Sequence, residues 1–406
     1  MKRWVVAALP AALVLTGLVA LVRPLTAQTE PPVGEPLPGL SAADLAAFNQ
    51  GRARFAAVET PATGLGPVFN DRSCLACHSV PAAGGSGVGQ HTFVTRFGRF
   101  GLQASDRFGV QTPSSPFDAL LKLGGPTIQR RSVAEDMPEC RLAGEAVPPE
   151  ANAVGPRQPS PLFGLGLIQA IPDVAILARA DPADTNGDGI AGRANTQNGI
   201  LGRFGWKAAV ATVTDFVALA MVTEVGITTP LIPNELSPHG KPIPSGCKMT
   251  TDVDDADGVR LAGLSKFLTF LGPPPRGPIT EPVRRGEALF AKIGCVACHT
   301  PAMKTGPSTN PALNQVDVLL YSDLLTHYVG AALDDQIPDG DVGGGRWRTP
   351  PLWGLRLRKF YLHDGRTSDL TEAIALHSGE AFMAREGFLA LSAAERAEVL
   401  AFLQSL

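Results

Sequence analysis

Two copies of the pattern Cys-x-x-Cys-His constrain this chain more than any other feature. Each copy holds two cysteines and a histidine: Cys74, Cys77 and His78 in the first, and Cys295, Cys298 and His299 in the second. Two intervening residues let both sulfurs form thioether bonds to one haem edge, and the next residue places an imidazole under the iron. One copy could be a redox dithiol or half of a zinc site. Two copies favour two covalently bound c-type haems.

Residues 1–27 resemble an export signal. Lys2 and Arg3 precede an apolar stretch, and a Leu-Thr-Ala sequence ends at Ala27, where cleavage is expected. The apolar stretch is long for a signal and Leu25 is not small, so an uncleaved N-terminal anchor is the alternative. Both interpretations place the chain outside the cytoplasm, in the periplasm. Residues 28–40, rich in Pro, Gly and Glu, then form a flexible tether.

Composition narrows the classes of partner. Of the 406 residues, 44% are hydrophobic and 18% are charged, which is typical of a globular protein with real cores. A net charge of -3 gives no electrostatic basis for binding nucleic acid. Contact with a membrane is expected only through the N-terminal anchor.

The chain repeats one plan on either side of a proline-rich linker. Each half opens with a helix-like stretch before its motif and closes with an amphipathic helix; the stretches are residues 42–55, 260–271, 282–290 and 394–406. Pro-Leu-Phe-Gly-Leu from Pro161 recurs as Pro-Leu-Trp-Gly-Leu from Pro351.

This repetition predicts a mainly α fold made of two tandem cytochrome c-like domains. The domains are residues 41–272 and 283–406, and residues 273–282 are the linker. The first domain is the longer one. Its excess, between Gln90 and Asp257, is expected to be a loop-rich insertion.

Two cysteines lie outside the haem motifs. An oxidising compartment favours a disulfide between Cys140 and Cys247. Two separate buried thiols are the alternative, because sequence separation does not say whether the sulfurs meet.

The sixth iron ligand decides what each haem does, because an iron with two strong protein ligands carries electrons and an open iron can bind peroxide or oxygen. Five further histidines are available: His91, His239, His327, His363 and His377. His377 is the best candidate for the second haem, since it follows Asp369 and Glu372 on a short predicted helix ended by Gly379. A surface histidine at a helix end is the alternative.

The other histidines have weaker claims. His91 follows a glycine-rich stretch close enough to His78 to reach the first haem, although a solvated loop is as plausible. His363 favours a turn residue or a partner of a haem propionate. His327 is predicted inside an apolar helix, residues 319–328, as a satisfied core histidine, and His239 is a loop residue.

A weaker metal signal lies in the insertion. Asp184, Asn186 and Asp188 copy the first half of an EF-hand loop, so they are candidate ligands of a structural calcium ion. The twelfth position is Asn195 in place of glutamate. A polar turn is therefore the alternative.

Several longer motifs resemble the di-haem oxidoreductase family of c-type cytochromes, sometimes labelled thiol oxidoreductases. They cover residues 164–173, 184–193, 202–207, 321–327, 347–354 and 362–365. The family is more distantly similar to bacterial di-haem cytochrome c peroxidases, to the di-haem enzyme that matures the methylamine dehydrogenase cofactor and to di-haem rubber oxygenases. The thiol label has no support here, because haem or the expected disulfide accounts for every cysteine.

The resemblance implies unequal haems. In those relatives the C-terminal haem takes its distal ligand 14 residues after the histidine of the His-Asp-Gly motif, which is His377 when counted from His363. Peroxide or oxygen chemistry is then expected at the N-terminal haem. The peroxidase glutamine aligns with Gln169, but the partner glutamate falls at about Arg179, which puts classical peroxidase activity in doubt.

Three functions remain open at this point. The first is an enzyme whose second haem accepts electrons from a small periplasmic cytochrome or cupredoxin and passes them to the first, with Trp206 or Trp353 between the haems. The second is a pure electron carrier in which His91 or a methionine closes the first iron. The third is an oxygenase for an apolar substrate, with Phe163 near the iron.

Overall fold

The computed structural model describes residues 32–101, 116–248 and 253–406. Helix outweighs strand in these ranges. The α-helices are α1 (Ala42–Ala56), α2 (Cys74–Cys77), α3 (Leu165–Ala170), α4 (Asp173–Leu177), α5 (Val213–Ala220), α6 (Val259–Phe270), α7 (Glu281–Lys292), α8 (Leu370–Ala375), α9 (Phe382–Ala390) and α10 (Ala393–Leu403). A π-helical segment, Met221–Val225, continues α5. The predicted export signal, residues 1–27, lies outside the described residues.

The strands are short and pair only in twos among the described residues. They are β1 (Val68–Phe69), β2 (Val94–Gly98), β3 (Arg131–Ser132), β4 (Ala153–Arg157), β5 (Thr196–Gln197), β6 (Ile200–Leu201), β7 (Met303–Lys304), β8 (Asp317–Val318), β9 (Thr326–Tyr328) and β10 (Arg346–Arg348). The antiparallel pairs are β1 with β3, β2 with β4, β5 with β6, β7 with β8 and β9 with β10. Strands this short connect neighbouring loops by hydrogen bonds and do not form a core.

The first helix pair, α1 and α6, crosses at a glycine contact. A Cβ atom on Gly51 would lie 2.1 Å from the main-chain oxygen of Gly263, so only glycine lets the two helices approach this closely. Phe48 and Phe55 then pack on Phe267, with ring centroids 5.2 and 5.0 Å away, and all three side chains are buried.

The second helix pair, α7 and α10, repeats this crossing. A Cβ atom on Gly286 would lie 1.9 Å from the main-chain oxygen of Glu398. Phe290 packs on Phe402 with centroids 5.2 Å apart, as Phe55 packs on Phe267. The two opening stretches of the sequence repeat therefore have matching structural neighbours.

The repeated Pro-Leu-[Phe/Trp]-Gly-Leu turns are also matched. Gly164 and Gly354 both adopt the left-handed conformation, at φ 70° and 68°. Gly164 N donates to Leu271 O at 3.0 Å, and Gly354 N donates to Leu406 O at 2.8 Å. Each turn is thus tied to the chain just beyond the closing helix of its half.

The hydrophobic core does not divide where the sequence plan divides. A smaller cluster around Phe290, Phe388 and Phe402 lies within the second half. The larger cluster centres on the first half but also includes Leu320, Leu325 and Trp353 of the second. The halves therefore share a core, which holds their two haem motifs in a fixed relation.

One sequence prediction of secondary structure is wrong. Residues 319–325 form no regular element, and His327 lies on β9 rather than in a helix. The apolar run is explained by burial, since Leu320, Leu324 and Leu325 all enter the larger core. Apolar runs of this length do not distinguish a buried loop or strand from a helix.

Two further features bear on the predictions. Cys140 and Cys247 are buried and their sulfur atoms are bonded, at 2.08 Å. Within residues 32–101, 116–248 and 253–406, no helix has the length and apolar character needed to cross a bilayer.

Candidate haem-binding sites

The second motif follows directly from α7. Gly294 turns the chain at φ 92°, and Cys295–Ala297 form one 3-10 turn. His299 Nδ1 lies 3.0 Å from Tyr321 O. Because a carbonyl oxygen can only accept, Nδ1 carries the proton and Nε2 keeps a free lone pair, which is the tautomer that binds iron.

His377 has the same arrangement. It lies two residues beyond α8, whose first turn is capped by Asp369 through the amides of Thr371 and Glu372. His377 Nδ1 lies 2.8 Å from Ala373 O, so its Nε2 is also free. The helix ends earlier than predicted, at Ala375, and leaves His377 in the turn that follows.

His299 and His377 line one cavity together with Cys295 and Cys298. Burial lowers the pKa of His299 to about 4, and the nearby His377 lowers it further, whereas its bond to Tyr321 O opposes this. Burial also lowers the pKa of His377. Both imidazoles are therefore neutral at pH 7, as metal ligands must be.

The rest of this cavity fits a haem. Its wall is mostly apolar and comes from both halves of the chain, including Trp206, Phe290, Leu352, Leu370, Ile374 and Leu403. Phe290 packs beside His299 with ring centroids 6.0 Å apart. Two cysteines, two imidazoles with free Nε2 atoms and an apolar wall are the donors and surroundings that a c-type haem requires.

The first motif forms α2. Ser73 caps this turn by accepting from Ala76 N at 3.2 Å. His78 Nδ1 lies 3.0 Å from Gly85 O, and Phe55 lies beside the imidazole at 6.3 Å, which matches Phe290 and His299 in the second site. Burial lowers the pKa of His78 to about 4, although its backbone bonds oppose the shift.

Three of the four haem-motif cysteines have a raised thiol pKa. Burial raises the pKa of Cys74, Cys77 and Cys295 to about 12. Thiolate nucleophiles need the opposite shift, which exposed and electropositive surroundings provide. These raised pKa values do not favour dithiol exchange at the two motifs.

His327 is held as a buried cation. Its Nε2 lies 2.7 Å from Asp323 Oδ2 and its Nδ1 lies 2.8 Å from Glu380 Oε2. Burial lowers the pKa of His327, but its bonds to Asp323, Cys298 and Glu380 outweigh this and raise it. With both nitrogens engaged, His327 has no lone pair for iron and is a satisfied core histidine, although it lies on a strand.

The other three histidines also lack the ligand arrangement. His363 is buried and stacks on Trp347 with ring centroids 3.6 Å apart, in the wall of the second cavity. His91 is exposed on a 3-10 turn, Gln90–Thr92. His239 is tied through its main-chain amide to Glu145 Oε1 at 2.8 Å.

Gln169 and the acidic loop have local structural partners. Gln169 is exposed, and its Oε1 accepts from Val213 N, the first residue of α5, at 2.7 Å. Asp184 and Asn186 also accept from amides of their own loop, Gly189 N and Asp188 N. In the described ranges, no group of three or more His, Cys, Asp or Glu side chains is arranged to hold a metal ion. Catalysis by Gln169 and calcium binding remain predictions.

Sequence reasoning missed Glu224, which lies on the π-helical segment after α5. Its Oε2 accepts from Asn70 Nδ2 at 2.8 Å, and its main-chain oxygen accepts from the amides of Asn70 and Asp71. Burial raises the pKa of Glu224, and its charge in turn raises the pKa of Cys74 and Cys77. An acidic residue within an apolar helix was the available signal, and π-helical segments often mark functional sites.

Comparison with known proteins identifies a family. A model of the family described as "Di-haem oxidoreductase, putative peroxidase" matches residues 147–406, well over half of the chain, which include the second motif and His377. No curated protein matches the sequence.

Some solved structures have a low similarity to this chain. One is a MauG-like protein associated with microbial copper homeostasis (17% identity, 93% of this chain and 92% of that chain, TM-score 0.42). Others are Kuenenia stuttgartiensis hydrazine synthase (14%, 98% and 100%, TM-score 0.42) and the diheme peroxidase BthA from Burkholderia thailandensis (14%, 92% and 87%, TM-score 0.40). Similarities this low carry no residue roles over to the chain.

Proposed function

The chain belongs to the di-haem oxidoreductase family, and we propose that it is an exported enzyme with two unequal c-type haems. In this proposal the haems supply the redox chemistry: the second accepts electrons from a small periplasmic cytochrome or cupredoxin and relays them to the first, where peroxide or oxygen is reduced. Cys74 and Cys77 attach the first haem, and Cys295 and Cys298 attach the second. The two halves are tandem cytochrome c-like domains, with the insertion in the first.

One observation carries the inequality of the haems. Three histidines of the described residues have Nδ1 within hydrogen-bond distance of a main-chain carbonyl oxygen: His78, His299 and His377. Two of them share the second cavity, and one lies at the first motif. The second iron therefore has two imidazole ligands available, whereas the first has one.

Two tryptophans support electron passage between the sites. The Trp353 indole packs directly on the main chain at Gly164, because a Cβ atom on Gly164 would lie 2.5 Å from Trp353 Cζ2. Trp206 lines the second cavity, and its Nε1 donates to Gln158 O at 2.9 Å. Gln158 lies two residues before Ser160, whose main chain contacts His78. Trp353 is buried and Trp206 is half-buried, so both indoles are our candidates for the electron path between the two motifs.

Reducing one peroxide to two water molecules takes two electrons and two protons, so the first site needs a group that moves protons. Gln169 has no proton of suitable acidity, and its Oε1 already accepts from Val213 N. Glu224 is half-buried, and its partial burial raises its pKa, so it keeps its proton to a higher pH than an exposed glutamate does. We assign the proton-moving role to Glu224, with Asn70 fixing one carboxyl oxygen.

Rapid mixing of the half-reduced holoprotein with hydrogen peroxide tests the proposed function. We expect the spectrum of one haem per chain to change at a rate proportional to peroxide, with oxidation of the low-spin haem following. Glu224→Gln should slow the first phase and leave electron uptake from a reduced donor unchanged. A protein that exchanges electrons with the donor but shows no spectral response to peroxide or oxygen would be a carrier and not an enzyme.

A further inference from the structure

The second cavity is lined by one buried and one half-buried arginine, and no carboxylate of the described residues forms an ion pair with either. Arg348 ends β10 and is 7% exposed, and Arg358 is half-buried just after the turn that follows Trp353. Both line the cavity that holds His299 and His377. Sequence reasoning gave neither of them a role.

Their protein contacts use only a small part of their donor capacity. Arg348 Nε donates to Gly205 O at 2.9 Å, and Arg358 Nη2 donates to Pro351 O at 2.8 Å. Arg358 Nε is buried without a hydrogen-bond partner. Each guanidinium has five N–H donors, so most of them remain for another group.

Two other arginines with little exposure form ion pairs with carboxylates. Arg157 Nη2 lies 2.7 Å from Asp335 Oδ2, and Arg346 Nη1 lies 2.8 Å from Glu380 Oε1. In the part of the chain that the structure describes, Arg348 and Arg358 form no such ion pair. They are therefore exceptions to the rule that buried charges are paired.

The two charges also act on one another. Burial lowers the pKa of Arg348 to about 10, and the positive charge of Arg358 lowers it further. Burial likewise lowers the pKa of Arg358 to about 10, although Tyr361 opposes the shift. Two uncompensated like charges in an apolar wall destabilise the protein unless the occupant of the cavity brings negative charge.

We propose that Arg348 and Arg358 form an anion clamp for the carboxylates of the group attached at Cys295 and Cys298, which are the two propionates of the second haem. This inference rests on the proposed function, since it requires a haem in the cavity. Two guanidiniums match two carboxylates in charge, and the planar fork of each guanidinium suits a carboxylate in geometry. A free carboxylate from solution has the same chemistry and is the competing source.

The clamp raises the reduction potential of the second haem, because positive charge near the iron favours the ferrous state. The test uses the full-length holoprotein and the variants Arg348→Gln and Arg358→Gln, whose amides can still donate to the same carbonyls. Each variant should shift the ferric–ferrous equilibrium of the second haem toward ferric by about tenfold. Arg356→Gln is the matched control, because Arg356 lies on the same turn but bonds Pro275 O outside the cavity lining.

A second readout separates charge from packing. In the wild type the clamp keeps the propionates ionised, so the potential should be flat around neutral pH. In the glutamine variants the propionate pKa rises, and the potential should fall as pH rises. Arg348→Lys keeps the charge but loses the planar fork of the guanidinium. Its reduction potential should therefore stay close to that of the wild type.

Haem content is measured in the same samples to separate the two proposals. Full haem content with unchanged potential in both glutamine variants would overturn the clamp and leave the proposed function intact. Absence of a second haem from the wild type would overturn the proposed function itself. If added formate changes the wild-type potential and the glutamine variants lose that response, the arginines bind a solution anion, and the propionate assignment is wrong.

Discussion

The contact between α1 and α6 gives a sharp prediction at Gly51. A Cβ atom there would lie 2.1 Å from Gly263 O, whereas ordinary contacts begin at 3.4 Å, so the helices must separate by about 1.3 Å. Overpacking costs about 1–3 kcal/mol, and the upper end applies because the obstacle is main chain. Higher helix propensity recovers about 1 kcal/mol. Gly51→Ala should therefore lower the free energy of unfolding by about 2 kcal/mol.

The facing glycine is the matched control. A Cβ atom on Gly263 meets nothing closer than 4.0 Å, so Gly263→Ala should leave the crossing intact and gain about 0.5–1 kcal/mol from propensity. Denaturant unfolding of both ferric holoproteins, followed by far-UV circular dichroism, measures the difference. Gly51→Ala should also perturb the first haem alone, because Phe55 lies beside His78. Equal free energies of unfolding for the two variants would refute the claim that the close approach of α1 and α6 requires glycine at position 51.

Three further predictions follow from the sites. His377→Ala should convert the second haem from low- to high-spin by electron paramagnetic resonance, with added imidazole restoring it, whereas His91→Ala should change neither haem. Replacing Cys140 and Cys247 by alanine should cost up to about 4.7 kcal/mol, since 107 residues separate them, and reduction of the wild type should have the same effect in denaturant unfolding. Burial raises the pKa of Glu224, so the folded state binds more protons than the unfolded state. The free energy of unfolding should therefore fall as pH rises above 4.5 toward the folded pKa. Glu224→Gln should remove that fall and be more stable than the wild type at pH 7. A wild type as stable at pH 7 as at pH 4.5 would count against the last prediction.

The sequence was most informative where chemistry and periodicity are local. The two haem motifs lie on single turns, and the four predicted helical stretches match α1, α6, α7 and α10 to within three residues at each end. Asp369 also caps the short helix before His377, where the sequence placed it. Membership of the di-haem oxidoreductase family, inferred from separate motifs, is confirmed by the family match.

Features that depend on distant contacts were not predictable. His327 was predicted to lie in a helix because an apolar run has the same sequence pattern in a buried helix and in a loop that enters a shared core. Nothing in the sequence indicated that Asp323 and Glu380 would each bind one of the two ring nitrogens of His327. Arg348, Arg358 and Glu224 stand out only when burial and partners are known, because charged residues are usually solvated.

Electron paramagnetic resonance of the fully ferric wild type tests the central claim most directly, which is that the two haems are unequal. In our proposal His299 and His377 are the two imidazole ligands of one iron, and His78 is the single imidazole ligand of the other; all three have Nδ1 on a main-chain carbonyl. We predict one low-spin signal typical of bis-histidine ligation and one high-spin signal, each integrating to one haem per chain. Two low-spin signals of equal intensity, neither altered by cyanide, would contradict the account.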